Sequence, residues 1–459
     1  MTFTPVSKHA IVVGAGMGGL AAAAAVSGHF ERVTVLERDA LPLTASSRPG
    51  TPQDNHLHVL LIYGQRALGE LFPGFADDLA RAGAVPIRLN LDFREELPGF
   101  DPFFPQRDMG WVFYAMSRPL LEFVAQRNLQ KLSNIAMRDG CRALQIVAGK
   151  DGSAIGVRLE TNDRSVETLP ADLVIDASRR GALSLSFLEA TGRPRPERTD
   201  IGIDLTYVTT TFAVPEGSRN WKAVVTMPEI PASSTTGYLV SVEGNRWIAV
   251  ISERHIEMPS ADPDEFMGRM QQLRTSTIYD AIKCAKRLDG IHRFSTPENS
   301  WQHFERVADF PRGLLPIGDA ICRFNPIYGQ GMTVAAREAC ILKVLLTKWA
   351  GATDPLAGLG QAFLSAIQPL IADAWSQSAI PDFAHPHTRG EPPAGLDNSL
   401  RFGKGLLHLA GRDPAVHQLM IGVRQLIKPR SALGDPELVR RVTSLQEYRE
   451  GRSPLKSHF

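Results

Sequence analysis

The sequence has little cysteine and no excess of charge. Its 459 residues include four cysteines (Cys141, Cys284, Cys322 and Cys340), and no two of them form a C-x-x-C pair, so neither a disulfide framework nor a zinc site is expected. Lysine and arginine number 50 against 49 acidic residues, which gives no electrostatic basis for nucleic-acid binding. We therefore expect a cytoplasmic protein with no nucleic-acid partner and no metal centre.

Long apolar runs and obvious catalytic groupings are also absent. No stretch approaches the roughly 18 uninterrupted apolar residues of a membrane-spanning helix, so no integral span is expected. No Ser/His/Asp set and no pair of carboxylates stands out, and the sequence names no catalytic residue. With 43% hydrophobic and 22% charged residues the chain is ordinary globular protein, and its length predicts more than one packed layer or domain.

A βαβ pattern opens the chain. Residues 8–13 are an apolar run typical of a buried parallel strand, 20–26 are alanine-rich and predict a helix, and 32–36 predict a second strand. The turn between the first strand and the helix matches the fingerprint G-x-G-x-x-G at Gly14, Gly16 and Gly19. Such a loop between a strand and a helix predicts a dinucleotide-binding site.

The chemistry of this motif assigns a role to each residue. Gly14 permits the tight turn, Gly16 lets backbone amides approach a pyrophosphate, and Gly19 allows close packing of the helix on the strand. Glu37, 18 residues after Gly19, would accept hydrogen bonds from a ribose. The predicted contacts here are Gly14, Gly16, Met17, Gly18, Gly19, Glu37 and Arg38. The motif alone does not distinguish NAD from FAD.

A second candidate cofactor segment lies far along the chain. Gly318-Asp319 ends a predicted strand, and a Gly-x-Gly loop at 329–331 opens a helix. An aspartate at such a position can reach a polyol hydroxyl, and the helix N-terminus offers amides to a partly anionic ring. Two segments so distant in sequence favour a long cofactor, FAD. The predicted contacts are Asp319, Pro326, Gly329, Gly331 and Met332.

These residues carry a family likeness. The chain resembles the FAD-dependent monooxygenases of the aromatic-hydroxylase superfamily, whose GD motif is matched by Gly318-Asp319. Within that superfamily it looks most similar to bacterial flavin epoxidases of polyether-antibiotic biosynthesis, of the lasalocid and monensin type. The supporting stretches are 52–60, 71–74, 117–121, 172–178, 318–332 and 373–375.

The resemblance implies further cofactor contacts and one departure. It places Arg48, Arg118 and Asp176 at the cofactor. In relatives the segment after Asp176 lies near the FAD pyrophosphate and has been linked to NAD(P)H use. This chain has Arg179 where a glycine is usual and Ala182 where a serine is usual. The electron donor therefore stays open between NAD(P)H and a separate flavin reductase.

The fold expected from the resemblance is α/β. It has a Rossmann-like FAD-binding domain of the GR2 type, an interleaved β-sheet substrate domain and C-terminal helices. The FAD-binding domain is expected at 1–85, 115–195 and 300–350, the substrate domain at 86–114 and 196–299, and the helical region at 351–459. Seven aromatics are candidates for pocket lining: Phe93, Phe100, Phe103, Phe104, Trp111, Phe113 and Tyr114.

The activity implied is insertion of one O₂-derived oxygen into a small apolar alkene or aromatic natural product. Epoxidation or hydroxylation would proceed through a flavin C4a-hydroperoxide. A flavin halogenase is an alternative, against which the sequence lacks the W-x-W-x-I-P motif of that group. An alkene reductase or dehydrogenase of the geranylgeranyl-reductase kind shares the fold and both cofactor motifs. A non-enzymatic FAD-binding protein is the remaining alternative.

Overall fold

The chain folds around two main β-sheets. The computed structural model describes residues 6–217, 219–255 and 261–449. The strands are β1 Ser7–Val13, β2 Phe30–Leu36, β3 Val85–Arg88, β4 Phe93–Glu96, β5 Val112–Ala115, β6 Ile135–Arg138, β7 Arg142–Ala148, β8 Ala154–Glu160, β9 Val166–Pro170, β10 Leu173–Asp176, β11 Arg198–Ala213, β12 Ala223–Thr226, β13 Thr236–Val242, β14 Arg246–Arg254, β15 His292–Gln302, β16 Leu314–Pro316 and β17 Cys322–Arg323.

Helices cover both sheets. They are α1 Met17–Ser27, α2 Ile62–Leu71, α3 Phe75–Arg81, α4 Arg118–Leu129, α5 Ala182–Ala190, α6 Pro263–Gln271, α7 Thr277–Ile282, α8 Gly331–Trp349, α9 Leu359–Asp382, α10 Leu396–Arg412, α11 Pro414–Arg424 and α12 Pro436–Arg449. None of these described helices has both the length and the hydropathy needed to cross a membrane. The four cysteines are free thiols.

The first sheet is parallel and aligns the predicted motifs. Its order is β16-β10-β1-β2-β6, with all neighbouring strands parallel. At its carboxyl edge Val13 pairs with both Leu36 and Asp176, and Asp176 pairs with Pro316. The loops that follow these strands therefore leave the sheet side by side, which is where parallel sheets bind ligands.

Helix α1 can lie close to this sheet because its side chains are small. Its five consecutive alanines are all buried, which is the pattern of a helix enclosed on every side. A Cβ atom on Gly19 would overlap the carbonyl oxygen of Gly14 and lie 2.9 Å from that carbonyl carbon. Gly19 is therefore the residue that lets the helix begin directly beneath the loop.

The second sheet is mostly antiparallel and is inserted between strands of the first. Its order is β17-β15-β11-β14-β13-β12-β4, and only the β12–β4 pair is parallel. Since side chains alternate between the faces of a strand, Val208, Leu239 and Ile251 pack on α6 and α7. The opposite face carries Tyr207 and Tyr238, which cluster with Trp375 and Ala379 of α9.

Two stretches fold differently from what their sequence patterns predict. The apolar spacing over 56–71 predicts a helix, but α2 begins only at Ile62, because residues 56–61 are held by bonds to distant elements. His56 bonds Thr209 on β11, and the Leu61 N–H donates to Thr333 on α8 at 3.1 Å. The mixture of proline and aromatic residues over 85–110 predicts an irregular segment, yet it contains β3 and β4, and β4 joins the second sheet.

Three of the seven candidate pocket aromatics pack against the C-terminal helices. Phe100, Phe104 and Trp111 pack with apolar side chains of α10–α12, and Phe104 is only 1% exposed. The Phe100 ring lies 5.1 Å from that of His408, and the Phe104 ring 4.9 Å from that of His417. The pocket assignment is therefore wrong for these three, because the C-terminal helices, whose role the sequence left open, cover them.

Candidate functional site

The glycine loop leaves the start of α1 open. Gly14 adopts φ 103°, a conformation that favours glycine, and its N–H donates to Leu36 O at 2.8 Å. The N-cap residue of α1 is Gly16, and no side chain caps the helix. The backbone N–H groups of the first turn, at Met17 and Gly18, therefore point out of the helix towards the end of the sheet.

Glu37 braces this loop from the end of β2. Its Oε2 accepts a hydrogen bond from the Ala15 N–H at 2.9 Å, and its Oε1 accepts one from the Arg38 N–H at 2.9 Å. An ion pair with Arg48 at 3.0 Å completes its contacts. Glu37 and Arg48 thus lie beside the glycine loop, and their predicted contacts with a cofactor stay predictions.

Arg48 is enclosed by acidic side chains. It lies 3.2 Å from Asp39 and 3.4 Å from Glu122 in addition to Glu37. Burial would lower the pKa of Arg48, but these three carboxylates raise it above its ordinary value. The guanidinium is therefore permanently charged and fixed in place.

Arg118 connects the two predicted cofactor motifs. Its Nε and Nη2 donate to Glu122 Oε1 at 2.8 and 2.6 Å, and its Nη1 contacts Met332 Sδ at 2.9 Å. A Cβ on Gly16 would lie 4.0 Å from Arg118 Nη2. The side chain begins at the first turn of α4, where Ser117 caps the helix as its sequence predicts. The structure thus brings Gly16, Arg118 and Met332 together.

Asp176 supports the loop from below. It is fully buried, and its Oδ1 accepts from the Ser178 N–H at 3.0 Å, while its Oδ2 accepts from the N–H and hydroxyl of Ser184. A Cβ on Gly14 would come within 3.1 Å of Ala177 O, so this turn touches the glycine loop. Direct contact of Asp176 with a cofactor stays a prediction. Beside it, Ser178 Oγ is buried without a partner in the described part of the chain.

Asp319 is accessible although it lies deep in the protein. Its side chain has accessible surface and forms no hydrogen bond with any described residue. The protein around it nevertheless desolvates the carboxylate and raises its pKa, whereas Arg179, Arg323 and Arg118 act in the opposite direction. The preceding Gly318 donates its N–H to Glu338 Oε2 at 2.7 Å, which fixes the turn. An accessible side chain surrounded by protein atoms in this way faces an interior recess.

The loop at the start of α8 also faces this recess. Gly331, its first residue, would place a Cβ 3.8 Å from Asp319 Oδ1, and no side chain caps the helix. Pro326 is exposed on the turn before it. Gly329 adopts φ 65°, and a Cβ there would lie 3.0 Å from Val59 Cβ. This part of the predicted site therefore packs against the segment before α2.

Other half-buried groups mark the extent of the recess. Burial lowers the pKa of His58 and of His385 to about 3 each, and burial raises the pKa of Tyr238 and Tyr328 well above the ordinary value. All four keep some accessible surface. They come from the segment before α2, the end of α9, β13 and the turn before α8. The recess therefore lies between the carboxyl edge of the first sheet and the inner face of the second.

His56 and two aromatic rings form part of the wall on the second sheet. The Nδ1 atom of His56 lies 2.6 Å from Thr209 Oγ1. The centroid of the His56 ring is 6.1 Å from that of Tyr207 and 5.8 Å from that of Phe294. Burial lowers the pKa of His56 to about 4, so the imidazole is neutral near pH 7. Its Nε2 has no described partner.

Three further buried polar atoms on this wall lack partners among the described residues. They are Tyr207 OH, Ser252 Oγ and Arg254 Nη1. Tyr207 and Ser252 face each other across the β11–β14 ladder, and Leu205, two residues before Tyr207, pairs with Arg254. Buried polar atoms in folded proteins are nearly always bonded, so such a group marks a place where a ligand or ordered water completes the structure.

A buried ion pair anchors Arg254. Its Nη2 lies 2.8 Å from Asp382 on α9, and both side chains are at most 2% exposed. Asn299 and Asn325 donate to the same carboxylate at 2.8 and 2.7 Å, and the Tyr328 hydroxyl at 3.1 Å. Sequence reasoning missed this network, because its members come from four distant segments.

The chain matches one curated protein along most of its length. It is 31% identical over 399 residues to protein Rv3254 of Mycobacterium tuberculosis, which covers 84% of this chain and 82% of that protein. No family model matches the chain.

Several solved structures share the fold at low identity. The flavin-dependent brominase Bmp2 aligns over 97% of this chain and 100% of its own, with a TM-score of 0.63 and 13% identity. The myxobacterial chondrochloren halogenase CndH covers 99% of both chains, with a TM-score of 0.62 and 15% identity. PqsL of Pseudomonas aeruginosa, described as a probable FAD-dependent monooxygenase, covers 82% of this chain and 99% of its own, with a TM-score of 0.57 and 19% identity.

These structures establish an architecture shared by flavin-dependent monooxygenases and halogenases, as the sequence predicts, and they do not separate the two. The chain shares the fold of these flavin-dependent enzymes and belongs to the same family as protein Rv3254.

Proposed function

We propose that the protein is an FAD-dependent monooxygenase that transfers one oxygen atom from O₂ to a small organic substrate. The observation that carries this proposal is the register of the first sheet. It places the ends of β1, β2, β10 and β16 in one row, at the floor of a recess whose opposite wall is the polar and aromatic face of the second sheet.

The residues on the floor fit FAD. The uncapped start of α1 and Arg118 would hold the diphosphate, and Glu37 the ribose. The free carboxylate of Asp319 would accept a hydroxyl of the ribityl chain, and the backbone at Gly331 and Met332 would face the ring. The unpartnered Ser178 Oγ beside the glycine loop also calls for an outside group. When bound and reduced, FAD would supply the two electrons that activate O₂, so that one oxygen atom of O₂ goes to the substrate and the other leaves as water.

The wall of the second sheet would bind and orient the substrate. Tyr207, Phe294 and Leu57 supply apolar surface that excludes water, which an oxygen-transfer site requires. Neutral His56 and the unpartnered hydroxyl of Tyr207 offer hydrogen bonds within that surface. A substrate with an alkene or aromatic skeleton and a polar group fits this combination. PqsL has been solved with the small aromatic acid 2-aminobenzoylacetate, which supports a small organic substrate.

The finer assignments rest on the sequence likeness. Resemblance to polyether-pathway epoxidases favours an alkene as substrate and epoxidation as reaction. The electron donor is NAD(P)H or a separate flavin reductase. Halogenation is the second candidate, because Bmp2 and CndH match almost the whole chain.

One experiment separates these activities. The purified protein is loaded with FAD, reduced, and exposed to ¹⁸O₂ with a panel of alkenes and phenols in the presence of bromide. A monooxygenase gives products that contain one ¹⁸O atom, a halogenase gives brominated products, and an alkene reductase gives products heavier by two hydrogens without O₂. Failure to bind FAD would contradict the proposal altogether.

A matched pair of variants ties the result to the recess. Asp319→Asn should weaken FAD binding about tenfold, because a carboxylate-assisted hydrogen bond contributes about 1.5–3 kcal/mol. Asp309→Asn is the control, since the Asp309 side chain is 87% exposed and pairs with Arg193 away from the recess. Equal FAD affinities in the two variants would exclude Asp319 as a cofactor contact.

A further inference from the structure

Three arginines gather beside Asp319 on the side of the recess that faces the second sheet. Arg179 and Arg180 are consecutive and exposed, and Arg323 lies on β17. A Cβ on the next residue, Gly181, would lie 2.7 Å from Ala320 O, so the segment that carries the arginine pair packs on the turn before β17. Two remote stretches of chain thus place like charges together.

Carboxylates do not balance this positive charge. Neither Arg179 nor Arg180 forms an ion pair or hydrogen bond with any described residue; Arg179 only lies over the Phe294 ring, 5.6 Å from its centroid. Arg323 has one long contact, 3.5 Å to Glu298, and Glu298 is already bonded to Arg198 at 2.6 Å. The remaining nearby acid, Asp319, is the group that the proposed function gives to the flavin.

The electrostatics agree with this geometry. Burial and the neighbouring Arg180 guanidinium lower the pKa of Arg323, whereas Asp319 and Glu298 oppose that shift only in part. Clustering of like charges costs free energy, and an anion bound among them would offset that cost.

We propose that Arg179, Arg180 and Arg323 form a binding site for a phosphate or diphosphate group of a second ligand, additional to FAD. Guanidinium groups bind phosphate oxygens in paired hydrogen bonds, and three of them around one space suit a diphosphate better than a single carboxylate. The inference rests on the proposed function in one respect, that FAD occupies the floor of the recess.

The site is distinct from the one expected for the FAD diphosphate. That group belongs at the start of α1 beside Arg118. Arg179, by contrast, is directed to Phe294 on β15, and Arg323 lies on β17, which pairs with β15 through Ser300. An anion held there would bring the rest of its molecule into the recess along the second sheet. A nicotinamide dinucleotide and an alkenyl diphosphate both have this chemistry.

Calorimetric titration of the FAD-saturated protein with inorganic pyrophosphate tests the site. Arg179→Gln and Arg180→Gln should each weaken pyrophosphate binding about tenfold, the usual effect of losing one charge-assisted contact. The control is Arg293→Gln, because Arg293 is exposed on β15 next to Phe294 but points to the opposite face of the strand. It removes the same charge and should leave binding unchanged.

The outcomes are distinct. An equal loss in Arg293→Gln, or no pyrophosphate binding by the unaltered protein at millimolar concentration, would overturn the site. So would a matching loss of FAD affinity in Arg180→Gln, because the arginines would then serve the cofactor's own diphosphate. FAD affinity is measured separately by flavin fluorescence. If none of the variants binds FAD, that result contradicts the proposed function rather than the arginine site.

Titrations with NADPH and with geranyl diphosphate then identify the source of the phosphate. Tighter binding of NADPH, lost in Arg180→Gln, assigns the site to the reductant. Tighter binding of geranyl diphosphate, lost in the same variant, assigns it to an anionic alkene substrate. If NADPH or geranyl diphosphate binds equally well when the arginines of the site are replaced by glutamine, the proposal is contradicted.

Discussion

The two walls of the recess treat their polar groups differently. On the floor, the carboxylates of Glu37 and Asp176 have both oxygens bonded to backbone or hydroxyl groups of neighbouring loops. On the second sheet, Tyr207 OH, Ser252 Oγ and Arg254 Nη1 are equally buried and have no partner among the described residues. These two floor carboxylates are satisfied by their own neighbours, whereas these three groups of the sheet wall have unused hydrogen-bonding capacity.

This difference matches the roles that we propose for the two walls. A nucleotide is bound largely by backbone amides, so the side chains below them serve to fix the loops. A substrate is recognised by side chains, which must be kept available until it arrives. The predictions below test whether the sheet wall depends on its buried ion pair, whether the floor depends on close backbone packing, and whether any acid of the floor is left incompletely bonded.

The largest effect is expected at the anchor of the sheet wall. Asp382→Ala would leave Arg254 as an unpaired buried charge and remove an acceptor from Asn325, so we expect a loss of about 3–5 kcal/mol in the free energy of unfolding. Denaturant unfolding measures it.

The control for this prediction is an exposed pair. Glu189→Ala removes the partner of Arg195, whose side chain is 58% exposed, and should leave the free energy of unfolding almost unchanged, because solvent screens an exposed pair. Similar losses in the two variants would show that the buried pair has no special role in holding the wall.

A smaller loss of stability is expected on the floor. Gly19→Ala would force the glycine loop away from α1, because its Cβ overlaps the Gly14 carbonyl group, and we expect a loss of about 1–3 kcal/mol together with weaker FAD binding. Gly28→Ala is the matched change at the other end of the same helix, where φ is −77° and no atom lies within 4 Å of the added Cβ. A thermal-unfolding series that ranks Gly28→Ala as the more damaging would refute this account of the loop.

The smallest effect should be a gain. Glu338 is a buried acid of the floor whose Oε2 accepts from Gly318 and whose Oε1 has no described partner, and burial raises its pKa to about 7. The stability tied to the protonated acid is full below the ordinary pKa of 4.5 and is lost as pH rises through 7. Glu338→Gln should therefore be more stable than the parent by about 2 kcal/mol near pH 6, and by more at pH 8.

The pH profile distinguishes this cause from a general gain in packing. Melting temperatures of parent and Glu338→Gln should converge only below about pH 4.5, where the acid is protonated in both the folded and the unfolded states. A constant difference between pH 5 and pH 8 would contradict the raised pKa.

The floor was predictable because its signals are local. The spacing from Gly14 to Glu37 is typical of one βαβ unit. The parallel pairing of β10 with β16 then brings the Gly318-Asp319 turn to the same carboxyl edge of the first sheet. The sheet wall was not predictable in this way. Arg254 and Asp382 meet only after β14 has paired with β11 and α9 has packed across it, and no spacing in the sequence encodes that meeting.

The errors have the same physical origin. A helical pattern over 56–71 was overridden at its start by bonds to Thr209 and Thr333, which lie on remote elements. Phe104 is a candidate for pocket lining from the sequence, but it lies in the hydrophobic core because helices α10–α12 cover it. In both cases tertiary contacts determined what local sequence left open.

The strand order of the first sheet also constrains how the protein is made. Central strand β1 is formed from residues 7–13, but its neighbour β10 ends at residue 176, and β16, which completes the row beside it, ends at residue 316. During synthesis the amino-terminal βαβ unit, which ends at residue 36, must therefore wait for about 140 further residues before β10 covers the free edge of β1, and β10 must wait for about as many again before β16 covers its own. Pairings this distant in sequence are slow to form, so the row of strand ends is completed only late in synthesis.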